Sequence, residues 1–354
     1  MIGPASVDRG RINLTESEVG NVVSRKGAWR VLSLFALMSL ALTGCSGVDG
    51  FSVLKPKGTS GEMSLDMIKL ALFIMLGVFA VVITIYIYVL IRYRKRKGKD
   101  VMPEQVHGNN VLEIIWTAIP IILLTILAIP TVKYTFEMSE IKASEDSITV
   151  KVTGYQYWWE FQYPDLGIKT AQELHIPVGK KVNFIIEGKD VLHSFWIPAL
   201  GGKVDVVPGR TNTLVLDAKK PGVYQGKCAE LCGAGHALMD FKVIAQEESD
   251  FNKWVAQMKQ PSTVQTAQQK QGEALFNQNC LGCHAGTNKN IKGPDLTKFG
   301  TRSTIAGILP HDEENLKKWL KDPTAVKPGA RMPKIDYLEP QEMEALVEYL
   351  MSRK

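Results

Sequence analysis

The stretch CAELCGAGHALM, Cys228 to Met239, places two thiols, an imidazole and a thioether within twelve residues. These are soft or borderline donors, and together they favour copper over hard cations. A Cys228–Cys232 disulfide suits an oxidising compartment but leaves His236 and Met239 unemployed. Zinc takes four strong ligands, among which a thioether is out of place. A blue-copper site takes two histidines, one cysteine and a distant methionine, so one cysteine would be surplus. Two thiolates can instead each bridge two copper ions, and each ion then needs its own imidazole. His236 supplies one. The other must come from a separate strand end, and VLHSFWIP offers His193 directly after a β-type run. The three residues between the cysteines let the loop fold back so that both sulfurs face one metal pair, with the backbone carbonyl of Glu230 between them.

A second cluster, CLGCH (Cys280 to His284), has the spacing of a c-type haem attachment. Two thiols two residues apart can bond the haem vinyl groups, and the adjacent histidine reaches the iron. A thioredoxin-like pair would not need the histidine and sits in a βαβ context. GARMPK supplies Met332 as a second axial ligand, and Met/His ligation raises the haem potential. Met343 belongs to the face of a terminal helix and reads as core. Of the five cysteines, Cys45 lies near the N-terminus and the other four belong to these clusters, leaving none for a structural disulfide.

Two kinds of domain must position these groups. From Ser147 the apolar residues alternate: SITVKV puts Ile148, Val150 and Val152 on one face, and KVNFII does the same with Val182, Phe184 and Ile186. The turns EGKD, VPGR and KKPG separate such runs, which predicts an antiparallel sandwich or barrel ending near Ile244. EESDFNKWVAQMKQ reads as a helix, and PSTVQTAQQKQ as a polar linker. Helical patterns follow at GEALFNQNC, EENLKKWLKD and PQEMEALVEYLMSRK, the last opened by a proline. The expected plan is 145–246 for the β domain, 247–267 for helix and linker, and 268–354 for a small all-α domain.

Upstream, Leu70–Ile91 and Ile114–Val132 are uninterrupted uncharged runs. Each approaches or exceeds the ~20 residues that cross a bilayer as a helix, and a buried core helix of this length would keep a polar face. A transmembrane hairpin over 45–135, with spans at about 67–91 and 112–132, follows. Before it, Val31–Leu42 is a shorter apolar run preceded by Arg25, Lys26 and Arg30, the order of a secretory signal over 1–44. The net charge is +6, and RYRKRKGK after the first span carries six basic residues by itself. Basic residues beside a span mark its cytoplasmic end, so the excess reports topology and argues against a nucleic-acid partner. Everything after Lys133 then lies on the outer face. Neither span contains a histidine, so neither can ligate haem or copper in the membrane. His107, His175 and His311 read as structural or solvated.

The pattern H…C-x-E-x-C-x-x-x-H-x-x-M on a β domain after two spans resembles subunit II of the haem–copper cytochrome c oxidases over about Leu65 to Gln246. The resemblance implies a cupredoxin-like Greek-key sandwich holding a dinuclear CuA centre. Cys228 and Cys232 would bridge the coppers, His193 and His236 would be terminal ligands, and Met239 and the Glu230 carbonyl weak axial ones. Which histidine pairs with which axial ligand stays open. The Glu230 carboxylate would meet a magnesium ion at the contact with subunit I. In EIIWT, Glu113 stands three residues before Trp116, where the family has the mouth of a proton pathway into subunit I; a glutamate marking the membrane boundary is the alternative. GYQYWWEFQY departs from the family's Q-W-Y-W, since Tyr157 replaces the tryptophan associated with electron uptake from a docked cytochrome. LTGC resembles a lipoprotein cleavage box, which would make Cys45 the lipidated first residue; a plain signal peptide is the alternative.

The C-terminal segment, with GPDL and Pro294, resembles class I cytochrome c, with Cys280 and Cys283 holding one covalent haem c and His284 and Met332 as axial ligands. The whole resembles subunit II of bacterial caa-type oxidases, a multi-pass protein of the cytoplasmic membrane. Subunits I and III would be its partners and cytochrome c its electron donor. Oxygen reduction would belong to subunit I, with no catalytic residue in this chain. Two other readings share the sites: a CuA subunit of a nitric oxide reductase, and a free-standing membrane electron carrier. A nitrous oxide reductase needs more histidines than the six present.

Overall fold

Alternating burial organises the largest part of the molecule. The computed structural model describes residues 50–94, 108–139, 145–284 and 293–354, with positions 29, 33, 36, 37 and 141. Ten strands form two five-stranded sheets. One has the order β3 (Ile168–Ala171), β2 (Trp158–Tyr163), β1 (Ile148–Tyr155), β5 (Lys181–Gly188), β8 (Thr211–Asp217). The other runs β4 (Glu173–Pro177), β10 (Asp240–Gln246), β9 (Gly222–Cys228), β6 (His193–Trp196), β7 (Lys203–Val206). Most neighbours are antiparallel, but β1 pairs parallel with β5 and β10 with β4. These two crossovers make the topology a Greek-key-like sandwich rather than a meander.

Val150, Val152, Val182, Phe184 and Ile186 point inward and are fully buried, as the period-2 pattern requires. Ile148, at the strand start, is only partly covered. Trp159, Phe161, Phe184, Phe195 and Phe241 fill the space between the sheets, with Phe195 stacked on Phe241 at 5.0 Å between centroids. Burying each such ring contributes roughly 1.5–3 kcal/mol. The last strand runs to Gln246, two residues past Ile244, because its pairing with β4 continues to Pro177.

Two long helices precede the sandwich, α1 (Thr59–Arg92) and α2 (Asn110–Ser139). They touch each other, and both are long and apolar enough to cross a membrane. α2 contains Pro120 and Pro130, which helices in lipid tolerate. α1 begins well before its apolar run because the sandwich holds its first turn. Asp217 at the end of β8 accepts hydrogen bonds from the Thr59 amide at 2.9 Å and hydroxyl at 2.8 Å, and the Gly61 amide donates to Leu200 O at 3.0 Å. A carboxylate there also meets the positive end of the helix dipole.

After α3 (Glu248–Lys259), which closes the sandwich with Phe251 and Trp254, comes a helical domain. It comprises α4 (Ala267–Asn279), α5 (Leu281–His284), α6 (Glu313–Lys321), α7 (Pro323–Val326) and α8 (Pro340–Ser352). α4 starts inside the segment read as linker. Thr266 and Gln269 form a reciprocal capping box that stabilises a first turn without apolar residues. The domain's core joins Phe276, Leu316, Leu320, Ile335, Leu346 and Leu350. Met343 is buried within it.

Candidate metal centres

β6 and β9 are antiparallel neighbours with Phe195 opposite Cys228, so the start of one strand and the end of the other share one rim of the sandwich. That register brings His193 to the cysteine loop although 35 residues separate it from Cys228. The loop closes on itself: the Cys228 amide donates to Met239 O at 3.1 Å, and the Ala229 amide to Ser194 O at 3.0 Å. A single 3-10 turn, His236–Leu238, lifts His236 over the sulfurs.

The donor atoms converge. Cys228 Sγ lies 3.9 Å from Cys232 Sγ, 3.9 Å from His193 Nδ1 and 3.2 Å from Glu230 O. Cys232 Sγ lies 3.7 Å from His236 Nδ1 and 3.8 Å from Met239 Sδ. Both cysteines, His193 and Met239 are buried. Among the described residues, His193, Cys228 and Cys232 form the one group of metal-donating side chains that converges within 4.8 Å. The hydrogen bond from Cys232 holds the Cys228 thiol far below its ordinary range, and the same contact pushes Cys232 upward. Two sulfurs in contact, flanked by imidazoles, a thioether and a carbonyl, match what a thiolate-bridged copper pair requires.

Sequence reasoning passed over the residue that orients His193. Asp190 Oδ1 sits 2.8 Å from His193 Nε2, leaving Nδ1 aimed at the sulfurs. Burial would raise the Asp190 carboxyl, but its hydrogen bonds from His193 and from the Gln156 and Val191 amides bring it below its ordinary value. A carboxylate behind a ligating histidine fixes its tautomer and ring plane. The D-x-x-H spacing was the available signal.

The second cluster faces a cavity of about 620 Å³. Cys280 caps α4, and α5 carries Cys283 and His284. Their side chains line the cavity together with Met332, Leu296, Phe299 and Trp319. His284 Nδ1 donates to Pro294 O at 2.7 Å. Burial pushes the Cys280 thiol up to about 11, with Cys283 adding to the rise. Arg302 also lines the wall, and burial lowers its guanidinium to about 10 although Glu173 and Asp295 oppose the shift. An apolar slot with two thiols, an imidazole, a thioether and a half-buried cation fits a haem, whose ring is apolar and whose propionates are anionic.

The sandwich supplies part of that cavity's wall through Gln156, Tyr157 and Trp158. Tyr157, the departure from the family pattern, is 7% exposed. Elsewhere, Glu113 lies exposed on the first turn of α2, beside Gly108, which precedes the helix. His175 stacks on Trp254 at 4.2 Å and bonds Gln246, and His311 packs on Phe299. Cys45 and His107 lie outside the described residues.

Three family models match the chain. They are the transmembrane domain of cytochrome c oxidase subunit II over residues 57–134, its periplasmic domain over 167–246, and cytochrome c over 269–354. The cytochrome c oxidase subunit 2 of Alkalihalophilus pseudofirmus is 44% identical over 339 residues, covering 92% of this chain and 98% of that protein. The corresponding protein of a Bacillus species is 48% identical over 349 residues, with the same coverage. Among solved structures, the periplasmic domain of subunit II of cytochrome oxidase from Bradyrhizobium japonicum is 36% identical, covering 33% of this chain and 95% of that one, with a TM-score of 0.31. With its membrane hairpin, its thiol-and-imidazole loop on a sandwich and its haem-type cavity all accounted for, the chain belongs to the cytochrome c oxidase subunit II family, in a form carrying its own cytochrome c domain.

Proposed function

We propose that the chain receives single electrons from an external cytochrome c and delivers them to subunit I of a bacterial oxidase, which reduces oxygen to water and translocates protons. The observation that carries this reading is the convergence of two cysteines, two histidines, a methionine and a carbonyl on one rim of the sandwich, next to a second cavity lined by Cys280, Cys283, His284 and Met332. Cys228 and Cys232 would bridge a copper pair, with His193 and His236 as terminal ligands and Met239 and the Glu230 carbonyl as axial ones. Cys280 and Cys283 would hold the haem by thioether bonds, with His284 and Met332 on the iron. Bound there, copper and haem supply reversible one-electron storage.

The protein's own contribution is rigidity and exclusion. Asp190 fixes His193, Trp159 packs edge-on against the same imidazole at 5.9 Å, and burial keeps water from the sulfurs. A centre that cannot relax when its charge changes loses little energy to reorganisation, the electrostatic preorganisation that enzymes use elsewhere. α1 and α2 hold this rim at the membrane, and the absence of histidine from both helices assigns oxygen chemistry to subunit I. We assign the domains to 45–135, 145–246 and 268–354, behind a signal over 1–44 and joined by 247–267. The sandwich and cytochrome domains then lie on the outer face of a multi-pass protein lipidated at Cys45. Glu113 marks the mouth of a proton path. A magnesium ion at the Glu230 carboxylate would draw its remaining ligands from the partner subunit.

Metal and haem analysis of the purified chain tests the reading. Two coppers and one covalent haem are expected, and Cys228→Ser should abolish the copper pair while leaving haem attached. A variant that kept two coppers would refute the bridging role.

A further inference from the structure

The cytochrome domain does not hang free on its linker. It lies against the copper loop through two adjacent residues of the sandwich. Gln156 Nε2 donates to the carbonyl of Cys232 at 2.6 Å, while its Oε1 accepts from Arg331 Nη2 at 2.7 Å. One side chain therefore connects a residue of the copper loop to the neighbour of Met332. The Tyr157 ring is enclosed by glycines from both sides. A Cβ at Gly235 would stand 2.5 Å from its Cδ2 and 2.8 Å from Pro328 O, and one at Gly329 would stand 2.8 Å from its Cε2. Only residues without side chains let the two loops approach the ring this closely. Lys327, itself buried, donates to the carbonyls of Tyr157 at 3.1 Å and Ala306 at 2.6 Å. A second patch lies alongside: Glu173 Oε1 accepts from the amide and the hydroxyl of Ser303, each at 2.7 Å, and Lys242 reaches the same hydroxyl at 2.8 Å.

Resting on the copper and haem assignments above, we propose that Gln156 and Tyr157 are positioning residues that fasten the chain's own cytochrome domain to the copper loop, Gln156 by bridging Arg331 to the Cys232 carbonyl and Tyr157 by filling the space between Gly235 and Gly329. The family position held by an aromatic that meets an external cytochrome is thus used here as an internal joint. No bond is made or broken in this role. The joint sets how often the two centres lie together and how the Cys232 backbone is polarised.

The test uses the full chain with both cofactors bound, in detergent. Among the described residues the Ser303 amide bonds across the joint, to Glu173, so its hydrogen exchange reports domain opening. A hydrogen bond involving a charged group that is partly exposed shifts such an equilibrium about five- to tenfold. Gln156→Ala should therefore speed Ser303 exchange by about that factor and also change the copper hyperfine splitting in EPR, since the Cys232 carbonyl loses its donor. Arg331→Ala, at an exposed position, should speed exchange equally but leave the copper spectrum as it was. Tyr157→Phe should match the parent in both, whereas Tyr157→Ala should open the joint. Unchanged Ser303 exchange in both Gln156→Ala and Arg331→Ala would overturn the proposal. Failure of the copper and haem assignments is read separately, from metal content of the parent chain.

Discussion

The two centres of this chain are built in opposite ways. The copper loop draws on a core that is independent of it: its donor atoms converge on one rim, its backbone closes on itself, and its supporting sheets pack around their own aromatic and aliphatic residues. The proposed haem site is a cavity of about 620 Å³, and its candidate ligands come from separate segments, α4–α5 and the loop at Met332. A ten-strand sandwich has ample apolar surface of its own, whereas a helical segment of fewer than ninety residues has little core to spare. One site borrows a fold; the other completes one.

The harshest way to sharpen this contrast is to deny each site its cofactor. In Cys280→Ala/Cys283→Ala haem has no covalent hold. A cavity costs roughly 24 cal/mol per Å³, so an empty one of this size would cost an amount comparable with the about 5–15 kcal/mol that stabilises a whole domain. The cytochrome segment should lose its cooperative unfolding transition and become protease-sensitive while the sandwich stays folded, as calorimetry and limited proteolysis would reveal. The copper-free Cys228→Ser chain should behave in the opposite manner, keeping both transitions. Equal damage from the two variants would erase the distinction.

A milder probe leaves the haem attached. Met332→Ala removes a thioether from the cavity wall, and thioether ligation is what raises a His-ligated haem. The midpoint should fall by a substantial fraction of the roughly 0.8 V that axial ligation spans across haem proteins, while the copper midpoint stays fixed. A redox titration with an unmoved haem midpoint would point to another sixth ligand; Met343, buried in the core on α8, is poorly placed to be one.

How much of this could be read from residues alone followed chain distance. Four donors of the copper loop fall within twelve residues and the haem motif within five, so local spacing exposed both. His193 was legible because strand ends of a sandwich gather at its rims. The start of α4 was misread as linker because its first turn has no apolar residue, though T-A-Q-Q carried the capping signal. The joint between domains had no local signature. Gln156 meets partners 76 and 175 residues away, and only the folded arrangement reveals that one amide serves both. Tyr157 was visible as a departure from the family pattern, but its purpose lay in glycines on two remote loops.

The joint also carries a dependence on pH, smaller than the two effects above. Lys327 sits between the domains, and burial lowers its ammonium from 10.5 to about 8, with Asp240 opposing the shift. Where the domains separate, the side chain returns to water and to its ordinary value. Below pH 8 the lysine is charged in both arrangements, and docking bears the full cost of burying it. From pH 8 to 10.5 the docked form has released the proton while the open form retains it, so the open form binds more protons and docking strengthens as pH rises. Above that window both forms are neutral and the gain levels off, at no more than on the order of 3 kcal/mol. The docked fraction, measured from haem-to-copper distances by pulsed EPR on either side of pH 8, should rise with pH in the parent chain. Lys327→Met keeps the apolar stem and removes the charge, so its docked fraction should be high and independent of pH across the same window. A parent chain whose docked fraction fell on raising the pH would mean that the ammonium is held by the Tyr157 and Ala306 carbonyls as a net attraction, and that the joint closes around a charge and not in spite of one.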